Sequence, residues 1–150
     1  MTTVIARTAA RIAVPIALVT AIALLLQGHN LPGGGFIAGV LTAAALALVY
    51  VVFGLEELSA MLGIRGSGSF GHGPIAYYRV TFGLGLALAA GAGLVPIVFG
   101  EPFLAQTFRV FHGVPLFGEV EVASALAFDL GVYFTVVGAL LSIVAVVGSE

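Results

Sequence analysis

Asp129 is the only aspartate in the chain and the only ionisable side chain set well inside a long apolar run, Val122 to Gly148. If that run crosses a bilayer, the carboxylate is either partnered or neutral, because an unpaired charge at membrane depth is strongly disfavoured. The chemistry open to it is to hold a proton or to contact a cation. The plainer reading is a carboxylate that bonds a neighbouring helix and carries nothing. Tyr133 lies one helical turn later on the same face and is a candidate hydrogen-bond partner. Thr135 adds a further hydroxyl on the same segment. His29, His72 and His112 each adjoin a glycine but fall in separate connections, and no carboxylates accompany them at ligand spacing, so no metal site is expected. With no cysteine, thiolate chemistry and disulfides are excluded. No serine, histidine and acid can be grouped as a triad, so no catalytic residues and no enzyme activity are expected. Glu119 and Glu121 could funnel cations toward the start of the last apolar run, or simply be solvated.

The elements that must position these residues follow from composition. The chain has 150 residues, 61% hydrophobic and 8% charged, against roughly 25% charged in soluble domains. The expected fold class is an all-α integral membrane protein, a bundle of four transmembrane helices packed within a larger complex, forming one domain over residues 1–150. The spans are expected at about Thr8–Gln27, Gly35–Leu55, Val80–Gly100 and Val122–Gly148, each near the ~20 residues a helix needs to cross. The runs are continuous rather than alternating, which excludes a barrel. Arg7 and Arg11 precede the first run as in a signal peptide, but no small-x-small site closes it, so a retained helix is expected. On these spans Asp129 lies about 10 Å below the start of the fourth.

Four of the five arginines, Arg7, Arg11, Arg65 and Arg79, fall on one side of this topology and only Arg109 on the other. That places both termini in the cytoplasm. Tyr77, Tyr78 and Arg79 would anchor the third span at the interface. The connection from Glu56 to Tyr78 reads as a flexible loop, and its Gly66-Ser67-Gly68-Ser69-Phe70-Gly71 lacks the strand–turn–helix context of a dinucleotide site. In the outer connection, Leu104, Phe108 and Phe111 at i, i+4 and i+7 suggest a short interfacial helix. There is no basic run, so no nucleic-acid partner is expected; the surroundings are lipid bilayer and other membrane subunits.

Small residues mark the packing surfaces. Gly35 and Gly39 form a G-x-x-x-G, and Gly131, Thr135, Gly138 and Ser142 form a stripe along the last span. Asp129 points almost opposite to that stripe. Four helices rarely cover one of their own on both sides, so the acid is expected to be sheltered by other chains. Between the first two spans, Gln27-Gly28-His29-Asn30-Leu31-Pro32-Gly33-Gly34-Gly35-Phe36 forms a tight uncharged turn, in which Asn30 could cap the second helix and Pro32 enter its first turn.

Two of these stretches resemble a known family. Gly28-His29-Asn30-Leu31-Pro32-Gly33-Gly34-Gly35-Phe36-Ile37-Ala38-Gly39, and His112-Gly113-Val114-Pro115-Leu116 continuing through Ala127-Phe128-Asp129-Leu130-Gly131-Val132-Tyr133 to Gly138, resemble the B-type component of Mrp-type (also Mnh or Sha) multisubunit sodium/proton antiporters. The resemblance implies a small subunit of a secondary antiporter in a prokaryotic cell membrane, with no cofactor and with Na+ and H+ as transported ions. It implies a role in assembly or in the sodium path, with Asp129 as the motif acid and Gly28 to Phe36 as the motif turn. A subunit of a related energy-converting complex, such as a membrane-bound hydrogenase with antiporter-like modules, and a purely structural membrane scaffold remain alternatives. One intramembrane acid and no buried basic residue are too few groups for exchange by this chain alone.

Overall fold

The computed structural model describes residues 4–28, 34–63, 74–103, 105, 108–114, 118–123 and 125–148. Four helices are long and apolar enough to cross a membrane: α1 (Val4–Leu26), α2 (Gly34–Phe53), α4 (Pro74–Val98, apolar from Ala76) and α5 (Ala125–Val147). A short helix α3 (Leu55–Met61) follows α2, and an antiparallel pair, β1 (Phe108–Val114) and β2 (Gly118–Ala123), precedes α5. The start of α1 and the end of α5 both lie toward the C-terminal end of α2, with Arg7 beside Phe53 and Gly148 accepting from the Tyr50 hydroxyl.

The neighbour order is α1–α2–α5–α4, a row in which α2 and α5 are central. Sequence explains the arrangement. Gly34, Gly35, Ala38, Gly39, Thr42, Ala45, Leu46 and Val49 give α2 a small-residue face at helical period, and all eight are buried. The α5 stripe supplies the opposite contact. A Cβ on Gly131 would overlap the backbone of Ala89, and one on Gly138 would stand 2.5 Å from the Phe82 nitrogen. A Cβ on Gly85 would overlap the Thr135 nitrogen. Helices α4 and α5 therefore run antiparallel with their backbones in contact, as small residues allow in lipid. The hydroxyls of Thr135 and Ser142 donate to the carbonyls of Gly131 and Gly138 in their own helix, both at 2.7 Å. The outer faces of α1 and α4 remain apolar and exposed, at Val4, Ile5, Val19, Leu84 and Val98 among others.

Several expectations change. The fourth span begins at Ala125 rather than Val122, because residues up to Ala123 pair as β2. The outer connection holds a hairpin, not an interfacial helix: Phe108 pairs with Ala123 and His112 with Glu119. Gly118-Glu119-Val120-Glu121-Val122 alternates with period two, which suits a strand; the helical spacing of the phenylalanines was coincidental. The third span starts at Pro74, where a first-turn proline costs no hydrogen bond, and it continues through Pro96 to end at Val98. The connection after α2 is helical over Leu55–Met61 and is pinned by Leu58, which is 1% exposed. Tyr77 is exposed as an interfacial anchor would be, but Tyr78 is 2% exposed and belongs to the core with Leu46, Val49, Leu58, Val137 and Leu141.

Candidate functional site at the glycine junction

Helix α1 ends and α2 begins at two glycines that touch. Gly28 donates its N–H to the Leu25 carbonyl at 3.3 Å. A Cβ on Gly34 would overlap the Gly28 Cα and stand 3.0 Å from the Leu24 carbonyl oxygen. A side chain at Gly34 would push the two helix ends apart.

Asp129 sits on this junction. It lies in the second turn of α5, about 6 Å below the helix start, shallower than the sequence suggests because α5 begins at Ala125. A Cβ on Gly28 would stand 2.5 Å from Asp129 Oδ2, and one on Gly35 would overlap the Asp129 backbone carbonyl. The carboxylate is thus seated against Gly28 while its own backbone rests on Gly35. The two stretches singled out in the sequence, some hundred residues apart, form one site. Sequence reasoning assigned the shelter of Asp129 to other chains. The structure adds a contact within the chain: α5 lies between α4 and α2, so its stripe packs on α4 while the acid, half-buried, packs on the α1–α2 junction of its own chain.

One turn deeper, the Tyr133 hydroxyl donates to Thr42 Oγ1 at 3.2 Å. Asp129 and Tyr133 share the face turned to α2, as expected from their spacing, and the tyrosine links α5 to α2 through Thr42. Sequence reasoning passed over Thr42, although it is the one polar residue between Gly39 and Tyr50. Thr135 is separated from this group. It faces α4, and its hydroxyl is bonded within α5. Gly39 continues the contact, 3.0 Å from Val136 Cβ for an added methyl. His29, Asn30, Leu31, Pro32 and Gly33 lie outside the described residues, as do Arg65, the Gly66–Gly71 segment and His72. Among the described residues, no group of three or more His, Cys, Asp or Glu could hold a metal.

Chemically, the junction combines a carboxylate with the last-turn carbonyls of a helix, Leu24 and Leu25. Carbonyls at a helix C-terminal end, next to an acid and inside a membrane, are a donor set suited to a hard monovalent cation.

Residues 5–142 match the family described as a domain related to the MnhB subunit of a Na+/H+ antiporter. The chain belongs to the MnhB family. It is 37% identical over 146 residues to the B-type component of the Na(+)/H(+) antiporter of Bacillus subtilis (strain 168), covering 97% of this chain and 93% of that protein. It is 34% identical over 148 residues to the protein of the same name from Alkalihalophilus pseudofirmus, covering 98% and 93%. Among solved structures, the Mrp complex from Dietzia sp. DQ12-45-1b contains a chain that superposes with TM-score 0.67 at 28% identity, over 93% of this chain. The match spans 13% of that much longer chain. The MnhB match takes in the α1–α2 junction, the hairpin and Asp129 together.

Proposed function

We propose that this chain is a membrane subunit of a multisubunit Na+/H+ antiporter, a transporter component rather than an enzyme, and that Asp129 seated on the glycine junction is its ion-contacting group. The observation that supports this reading most is the contact of Asp129 Oδ2 with Gly28. Glycine on the facing backbone is what lets the carboxylate come this close to the end of α1, where any side chain would hold it off. The names of the relatives supply the ions, Na+ and H+, and the partners are the other membrane subunits of such a complex. Tyr133 and Thr42 fix the depth at which α5 meets α2, and so hold the acid at the junction. In this reading both termini face the cytoplasm of a prokaryotic cell, the junction opens toward the outside, and no bound cofactor takes part.

The test is to isolate the chain with its companions in mild detergent, reconstitute them and follow sodium-driven proton movement. Co-purification of several membrane polypeptides and loss of exchange without this chain are expected. Isolation with redox subunits carrying metal clusters, and no sodium response, would overturn the proposal.

A further inference from the structure

At the opposite end of the molecule from Asp129, α1, α2 and α3 enclose an open groove of about 430 Å³. Its lining is mixed: Arg7 and Arg11 on α1 and Glu57 on α3 supply charge, and Ala10, Val14, Pro15, Val49, Phe53 and Met61 supply apolar surface. Arg7 and Arg11 are one turn apart on the same face of α1, and both are exposed. No salt bridge joins either of them to another described residue. The groove lies at the rim of the apolar zone, where α1 begins and α3 leaves α2.

We infer that this groove binds the headgroup of an anionic glycerophospholipid, with the phosphodiester on Arg7 and Arg11 and the upper acyl chain along Val14, Val49, Phe53 and Met61. The argument rests on complementarity. Two guanidinium groups and one carboxylate leave a net charge of +1, which one phosphodiester neutralises. Guanidinium forks match phosphate oxygens in pairs. Along α1 the arginines precede Val14 and Pro15, so charge lies nearer the helix start and apolar surface further in, and basic pockets between transmembrane helices on the cytoplasmic side are suited to such headgroups. The volume falls within the range of ligand sites, roughly 300–1,000 Å³. The inference is independent of the antiport reading, since the site is remote from Asp129 and its test reads lipid, not transport.

The test is native mass spectrometry of the full chain, with the subunits that accompany it, in mild detergent titrated with phosphatidylglycerol, phosphatidylethanolamine or phosphatidylcholine. Phosphatidylglycerol is expected to be retained on this chain in preference to the other two. At about one phosphate-attracting charge per arginine, Arg7→Gln with Arg11→Gln is expected to weaken retention roughly thirtyfold, and Glu57→Gln to tighten it about fivefold. The Glu57 variant leaves the topology-setting arginines in place, so it reads the groove even if the double variant inserts poorly. Equal retention of all three lipids would overturn the inference. So would a preference for phosphatidylethanolamine that Glu57→Gln abolishes, or arginine variants that shed a companion polypeptide and leave lipid retention unchanged.

Discussion

Gly28→Ala is the substitution that separates transport from folding. The added methyl would arrive 2.5 Å from Asp129 Oδ2, whereas ordinary contacts begin at 3.4 Å, so the oxygen must retreat by about 0.9 Å. The carboxylate is the mobile end of a side chain and can turn about its own bonds, so the fold is expected to survive. The second contact, 3.2 Å to the Gly34 Cα, requires only a few tenths of an ångström. Overpacking of this kind costs about 1–3 kcal/mol. A displacement near 1 Å at a functional group can lower a rate by about 100-fold. Gly35→Ala is the contrasting case: its methyl would overlap the Asp129 backbone, which cannot rotate aside, and α5 would be pushed off α2. The assay is dequenching of a pH-sensitive dye in everted membrane vesicles on sodium addition, normalised to the amount of chain recovered in the assembled complex. Gly28→Ala is expected to lower exchange tenfold or more, roughly as the displacement implies, with assembly near normal. Gly35→Ala is expected to lose assembly itself. Wild-type exchange per assembled complex in Gly28→Ala would refute the reasoning, as would a loss that merely follows lost complex.

Other outcomes follow from the packing. Gly138→Ala would bring a methyl 2.5 Å from the Phe82 nitrogen, while nothing lies within 4 Å of a methyl at Gly83; the first should reduce complex yield and thermal stability by about 1–3 kcal/mol, and Gly83→Ala should leave both unchanged. Tyr133→Phe removes the bond to Thr42 and is expected to cost about 0.5–1.5 kcal/mol, read as a lower melting temperature in detergent. The Tyr78 hydroxyl is buried and has no hydrogen-bond partner among the described residues, so Tyr78→Phe should be neutral or stabilising by up to about 1–3 kcal/mol. Because the chain has no cysteine, single cysteines at Thr3 and Ser149 can be labelled without background. Both should be protected from an impermeant thiol reagent in intact cells.

The helices were legible because uncharged runs near 20 residues in lipid have few alternatives. The stripe of Gly131, Thr135, Gly138 and Ser142 was legible too, since small residues at helical period state where a backbone will be approached, and α4 approaches there. Which helix does so could not be read. That depends on neighbour order, and the apolar faces of four similar helices do not encode it locally. The same gap explains why the contact that its own chain makes with Asp129 was not legible. Opposite faces of α5 carry the stripe and the acid, and its own chain packs on both because α5 is central in the row, with Asp129 left half-buried. Tyr77 and Tyr78 look alike in sequence, yet the helix register that begins at Pro74 turns one outward and the other into the core. The hairpin did leave a signal, the alternation of Glu119, Val120, Glu121 and Val122, and it was overridden by the more conspicuous phenylalanines.

The carboxylate at the glycine junction either acts on ions or only holds helices together. Asp129→Asn tests that most directly, since it keeps the shape of the side chain and removes its charge. Sodium-driven proton exchange, measured in vesicles containing the fully assembled complex, is expected to fall to background in this variant while every component is recovered at wild-type levels. Exchange at the wild-type rate with the complex intact would contradict the account.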